Sequence, residues 1–362
     1  MSLKSQNPIK GRGAQHLSGN RFLQLQYVRE HEEGLDELWE LDTKTQFFEE
    51  HARKIINKVT SPDLGLTYSM NPYQGCEHGC VYCYARNTHE YYGYSAGLDF
   101  ETKIIVKRNA AELLKKQFEH PKWEVYPIML SGNTDCYQPA EKKFKITRQM
   151  LQVCLEYRHP VSIITKNSLI LRDTDILQEM ARLSLVHVNI SITSLQEDIR
   201  QKLEPRTATS AKRLHVVESL SQLNIPVRVM AAPMIPFLNS HELPTIMKAA
   251  SDHGALDAEY ILVRLNGSIG DIFTHWIKQI YPDKAQRILE TIKQTRGGKL
   301  NESRFGIRMR GEGEFADMIS RLFYTMHRKY FKGKSMPAYD LRAFLRKNRP
   351  PKTLFSDLES EE

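Results

Sequence analysis

Cys76, Cys80 and Cys83 lie in the run Gly75-Cys76-Glu77-His78-Gly79-Cys80-Val81-Tyr82-Cys83-Tyr84-Ala85-Arg86. The spacing is Cys-x3-Cys-x2-Cys, with an aromatic residue just before the third sulfur and no fourth ligand at short range. Three thiolates leave one corner of a 4Fe–4S cluster unfilled, and an iron with an open site can bind a substrate rather than only pass an electron. Zinc is the competing use of cysteine. A structural zinc site takes four ligands in close pairs. His78 stands between the first two cysteines, but no further Cys or His pair completes a tetrahedron, and Cys136 and Cys154 are distant. A disulfide framework fits poorly with five cysteines in 362 residues and no secretory signal.

A loop of this kind must be carried by a rigid frame, and strands and helices alternate on either side of it. Leu66 to Asn71 reads as a short strand delivering the cysteines, and 81–91 as the start of a helix. Ala110 to Phe118 is a helix and 126–130 a buried strand. Ile146 to Tyr157 is amphipathic. Val161 to Thr165 is a strand followed by a helix over 173–183, then a strand over 186–192. A helix over 211–223, a strand over 226–232, a helix over 241–253 and a last strand over 260–265 complete the pattern. Six such units predict an α/β fold with a parallel sheet, a partial (β/α)6 TIM-like barrel open on one side. The active site of such a barrel gathers at the C-terminal ends of its strands. Residues 1–60 read as an N-terminal extension, partly flexible, with Thr45 to Val59 rich in helix formers. Residues 61–270 form the core. Residues 271–362 form a basic helical region, a cap whose Trp276, Ile280, Ile288 and Ile292 recur at helical spacing.

Composition is that of a soluble globular protein, 41% hydrophobic and 26% charged. No apolar run reaches the length of a membrane span, and the first residues are polar with no apolar core. The expected compartment is the cytoplasm, where an oxygen-labile cluster meets reducing conditions. A net charge of +8 suits an anionic partner such as nucleic acid or a phosphorylated metabolite, although the excess is scattered rather than gathered in one patch.

Polar residues cluster where strands end. Ser131 to Pro139 contains Thr134, Asp135 and Cys136. Thr165-Lys166-Asn167 follows the third strand, Ser191 closes the fourth, Glu204-Pro205-Arg206-Thr207 lies beyond it, and Ala231-Ala232-Pro233 closes the fifth. A lysine or arginine for a carboxylate and an aspartate for an ammonium form a matching set for an amino-acid moiety.

The cysteine motif resembles that of the radical SAM enzymes, which bind S-adenosylmethionine at the open iron and cleave it to a carbon radical. From about Asn71 to Leu265 the chain resembles the spore photoproduct lyase-like branch. The resemblance rests on Cys80-Val81-Tyr82-Cys83-Tyr84, Thr165-Lys166, Ser191-Ile192, Glu204-Pro205 and Ala232-Pro233. With Asn71-Pro72-Tyr73, Cys76-Glu77-His78-Gly79-Cys80, Thr134 to Pro139 and Glu204-Pro205-Arg206 it is similar, over nearly its whole length, to a bacterial family often labelled DNA repair photolyases.

The resemblance implies that Cys76, Cys80 and Cys83 ligate a 4Fe–4S cluster and that S-adenosylmethionine is the second cofactor. Tyr82 would lie near the adenine, Lys166 and Ser191 would contact the methionine or ribose part, and Ala232 would line the cofactor. Thr134, Asp135 and Arg206 belong to the same cofactor-binding set. An external one-electron reductant of flavodoxin or ferredoxin type is implied. Tyr82 and Tyr84 match tyrosines thought to pass a hydrogen atom. The lyases carry a cysteine donor just after the second strand. Alignment on Asp135 puts that position at Gly132, with Cys136 four residues later as the substitute. Two other readings stand beside a radical SAM enzyme of unknown substrate: a DNA-lesion repair lyase and a non-catalytic metal-binding module.

Overall fold

The computed structural model describes residues 9–22 and 44–347. Its strands are β1 (Gln46–Glu50), β2 (Ile56–Lys58), β3 (Tyr68–Met70), β4 (Tyr73–Gln74), β5 (Lys103–Lys107), β6 (Ile128–Leu130), β7 (Val161–Thr165), β8 (Val186–Ser191), β9 (Val227–Met234) and β10 (Asp257–Leu262). The larger sheet has seven strands in the order β10-β9-β8-β7-β6-β3-β2. The strands from β10 to β3 in that order are parallel neighbours, and β2 closes one edge antiparallel to β3. Among the described residues no pairing joins β2 to β10, so the six parallel strands form an incomplete barrel.

Apolar sequence explains these strands. β7 buries Val161, Ile163 and Thr165. Ile163 lies opposite Val188 on β8, and Ile190 opposite Val229 on β9. All four are essentially inaccessible to solvent, as strands covered on both faces require. Each such side chain contributes about 1.5–3 kcal/mol by burial. The crossover helices Ile146–Glu156, Thr174–Arg182, Ser210–Gln222 and Leu243–Asp252 follow β6, β7, β8 and β9 in turn. Thr174–Arg182 shows the pattern: Ile176, Leu177 and Met180 form its buried stripe.

Three expectations need correction. The last strand occupies Asp257–Leu262, not 260–265. Its apolar continuation, Val263 and Leu265, leaves the sheet to pack with Phe273, Trp276 and Ile277 of the cap. The stretch 45–59 forms β1 and β2 rather than a helix. Tertiary pairing overrides the local preference there, β1 lying parallel to β5 with Phe47 opposite Ile104. Finally, β1, β5 and β4 make a second, three-stranded sheet that the sequence reading lacked.

The C-terminal helices divide their work. Ile269–Ile280 and Pro282–Gln294 bury Phe273, Trp276, Ile288 and Ile292 in one cluster with Cys80, Val81 and Tyr82. Glu314–Tyr330 packs instead beside Leu243–Asp252, with Ala316, Ile319 and Phe323 entering the barrel's core cluster. Arg296 locks the cap to the last strand. Its guanidinium donates to the carbonyls of Leu262, Val263, Ile307 and Arg308. No helix among the described residues is long and apolar enough to cross a membrane.

Candidate cofactor site at the barrel mouth

β3 ends at Met70 and β4 at Gln74, so the cysteine loop leaves the C-terminal rim of the first barrel strand. Two left-handed glycines shape it. Gly75 has φ +80°, and a Cβ there would lie 2.8 Å from the Lys103 carbonyl oxygen; Gly79 has φ +71°. The Cys76 N–H donates to the Phe100 carbonyl at 2.8 Å and the Val81 N–H to the Leu203 carbonyl at 3.1 Å. Gln138 clamps the loop from the next strand end, accepting from the Glu77 N–H and donating to the Gly75 carbonyl. Arg86 reaches back to the Cys80, Ala96 and Gly97 carbonyls.

All three thiols are free, with Cys76 and Cys80 buried and Cys83 partly so. Burial raises the pKa of each. For Cys76, Asp135 and the other two sulfurs add to the rise. Bound iron would supply the positive charge that this group of sulfurs lacks, releasing the thiol protons. Three free thiols on one loop are the donor set a 4Fe–4S cluster would take. A cluster takes each cysteine on a different iron.

The segment expected to be a flexible extension packs on the outside of this loop. Glu101 accepts from the Gly13 and Ala14 N–H groups at 3.0 and 2.7 Å, and its carboxylate pairs with Arg86 at 2.5 Å, both side chains wholly buried. Arg12 donates to the Glu101 carbonyl. A Cβ at Gly13 would stand 1.7 Å from the Gly79 carbonyl oxygen, so only glycine lets the two backbones meet. Glu77 joins the same layer by accepting from Thr45 and Arg206. Composition alone reads 9–22 as polar and Gly-containing. The buried carboxylate that recruits it lies about 90 residues away, in a part of the chain without a motif.

Several expected cofactor residues serve the frame. Asp135 was matched to a ligand ammonium. Its carboxylate instead accepts from Thr165 Oγ1 and from the Lys166 and Tyr137 N–H groups, and it faces His78 Nδ1 at 3.3 Å. Burial opposes its ionisation, but His78 and these hydrogen bonds outweigh it and hold the pKa down at about 2. Thr134 donates to the Tyr73 carbonyl, and the Arg206 Nη2 donates to Glu77 at 3.2 Å. Cys136, proposed as a hydrogen donor, is 0% exposed within the barrel core. Its N–H donates to Ser131 Oγ and its carbonyl accepts from Thr147 Oγ1, so it behaves as a small buried hydrophobe.

The remaining residues do meet at the mouth. Tyr82 and Thr193 donate to the fully buried Glu204, which is also paired with Arg213. Burial penalises the Glu204 carboxylate, yet Arg213, Lys166 and these donors keep its pKa at about 2. Lys166 follows β7 and feels both Cys80 and Glu204, which raise its pKa against the opposing effect of burial. Its ammonium makes no hydrogen bond among the described residues. Ser191 ends β8, with its carbonyl held by Arg213, and the Ala232 carbonyl on β9 accepts from Thr193. Tyr84 stays 52% exposed and donates to the Gly132 carbonyl at 2.6 Å. Arg213, Arg86 and Glu101 were missed as site-forming residues, whereas Thr193 stands where polar residues follow the fourth strand. The three missed residues lie in helices or loops without a distinctive spacing, and only long-range pairing reveals them.

The two depressed carboxylates give a pH prediction. Their folded values lie below the ordinary carboxylate values of 3.8 and 4.5. The stability they contribute is complete above that range and is lost as pH falls towards about 2. The melting temperature should therefore drop between pH 5 and pH 2. Asp135→Asn should start lower and show a shallower drop. An equally steep drop in that variant refutes the assignment.

A model of the radical SAM superfamily matches residues 70–250. An uncharacterized protein of Mycobacterium tuberculosis is 30% identical over 251 residues, covering 68% of this chain and 74% of its own. An uncharacterized protein of Methanocaldococcus jannaschii is 29% identical over 248 residues, covering 68% and 88% respectively. Among solved structures, a spore photoproduct lyase mutant superposes with a TM-score of 0.60 at 17% identity, covering 80% of this chain and 81% of that one. The same enzyme complexed with a dinucleoside spore photoproduct gives 0.60 at 16%, with the same coverage. At such identity these likenesses speak to the fold.

Proposed function

This chain belongs to the radical SAM superfamily, and from that premise we propose how its residues divide the work of a radical SAM enzyme. Cys76, Cys80 and Cys83 each give one thiolate to a 4Fe–4S cluster, and the Lys166 ammonium takes the carboxylate of S-adenosylmethionine. The observation that carries this reading is three free thiols on one pinned loop, next to an ammonium left unbonded beside Cys80. When bound, the cluster provides the open iron and the electron for reductive cleavage of S-adenosylmethionine to a 5′-deoxyadenosyl radical.

The chain's own contribution is placement. Glu204 holds the Tyr82 ring against the loop, and its charge balances Lys166 and Arg213. Ser191 and Ala232 offer small side chains at the neighbouring strand ends, where a ribose or adenine can approach closely. Asp135 fixes the Lys166 backbone and His78 rather than touching the ligand. Tyr84 borders the open side, where the substrate must enter. A flavodoxin- or ferredoxin-type protein in the cytoplasm is the proposed electron source. Photoproduct repair is less well supported than an unassigned substrate, because Gly132 stands at the donor position and Cys136 is sealed in the core.

The test is direct. Protein reconstituted with iron and sulfide without oxygen, then given S-adenosylmethionine and dithionite, should release 5′-deoxyadenosine, measured by liquid chromatography. Iron-loaded protein that binds S-adenosylmethionine but yields no 5′-deoxyadenosine would sink the proposal.

A further inference from the structure

Arg264 is a guanidinium at the barrel mouth for which the fold has no evident use. It follows β10 by two residues, on the same rim as Lys166 and Ser191. Its side chain is half-buried. Among the described residues its Nε has no hydrogen-bond partner, and its Nη1 meets only the Met309 sulfur at 3.7 Å.

The arginines around it are differently placed. Arg308 holds Asp63 and Ser61 across the open seam of the barrel. Arg304 pairs with Glu302 and Glu312, Arg310 with Glu259, and Arg296 spreads over four carbonyls. Asp63, the one acid whose charge reaches Arg264, is already bound by Arg308 and by the Gly306 N–H. Burial and the Arg308 charge push the Arg264 pKa down. The exposed Tyr84 phenol also lies within electrostatic reach of Arg264.

Arg296 leaves its Nε unpartnered too, but both its Nη groups are taken up by carbonyls, whereas Arg264 has only a sulfur on Nη1. The buried Nε of Arg264 is a charged donor without an acceptor, and an anion that accepted from it would replace the hydration it has lost. A planar fork suits an oxyanion, which it can grip with two parallel hydrogen bonds. Resting on the radical SAM reading above, we propose that Arg264 binds an oxyanion of the substrate, a phosphate or carboxylate, and so holds the substrate on the side of the mouth bordered by Tyr84. This site is distinct from Lys166, which serves the cofactor carboxylate.

The experiment uses the full chain, reconstituted without oxygen and saturated with S-adenosylmethionine. Inorganic phosphate and, separately, acetate are titrated in and followed by calorimetry. The parent should bind at least one of them. Arg264→Gln should bind it at least tenfold more weakly, and Arg264→Lys should fall between. Iron content and melting temperature of each variant establish that it is folded; if Arg264→Gln does not fold, the intermediate weakening in Arg264→Lys decides. Binding of neither probe by the parent, or equal binding in the substituted proteins, overturns the proposal. The titrations are repeated without S-adenosylmethionine, and probe binding seen only in its absence also overturns the proposal, since Arg264 would then belong to the cofactor pocket. Deoxyadenosine formation by the parent is measured in the same samples. Its absence refutes the enzymatic reading without touching the anion titration, and the two failures are told apart.

Discussion

Cys76→Ala, Cys80→Ala and Cys83→Ala, each reconstituted without oxygen, are expected to lose the visible absorbance of a thiolate-bound cluster and all 5′-deoxyadenosine formation. The parent should carry about four irons. The effect is all-or-none because no spare ligand stands ready. Cys136 and Cys154 are fully buried in the barrel core, away from the loop, and His78 is held between Asp135 and Asn167. Cys136→Ala and Cys154→Ala should therefore keep iron. They should lose only packing, about 1–2 kcal/mol each for a small cavity. Burial raises the pKa of both thiols, and for Cys136 the charge of Asp135 adds to the rise, which keeps both protonated and inert. If either of these two removes the cluster while one of the loop cysteines does not, the ligand set is wrong.

How much of this was legible in sequence depends on range. β7 and the helix Ala110–Phe118 lie where periodicity puts them, and four crossover helices fall within two residues of expectation. Their burial is decided by side chains a few positions apart. The cysteine loop was legible for the same reason, since ligand spacing is local. Reading failed where a residue answers to a distant one. The 46–50 stretch is a strand because β5 offers it an edge more than 50 residues later. Asp135 looked like a ligand-binding acid, yet Thr165 and Lys166 from the next strand end, together with the Tyr137 N–H and His78, occupy the four lone-pair sites of its carboxylate. Lys166 shows the converse. Its position at a strand end was visible, but only the structure shows its ammonium without a bond. Gly13 carried no signal at all. A glycine in a polar stretch usually marks a turn, and its real constraint is the Gly79 carbonyl it must pass.

That constraint leads to the larger stability effect. Glu101 is the joint between 9–22 and the cysteine loop, bonded on one side to Gly13 and Ala14 and on the other to Arg86. Both charged side chains are completely buried. Glu101→Ala removes the acceptor for two backbone N–H groups and leaves the Arg86 charge buried without its counter-ion. Breaking a buried pair from one side costs about 3–5 kcal/mol. In a protein of this size that lowers the melting temperature by roughly 10 °C. Glu49→Ala is the comparison, because the Glu49–Arg108 pair is largely exposed and is worth less than about 1 kcal/mol. Destabilisation should come with faster proteolytic cleavage within 9–22 and faster loss of iron in air, since the segment covers the outside of the loop. Arg86 would still reach the Cys80 carbonyl, so the cluster should assemble and then decay rather than never form. A Glu101→Ala protein that melts within about 1 °C of the parent and keeps its iron as long would show that the N-terminal segment only rests on the cysteine loop and does not secure it.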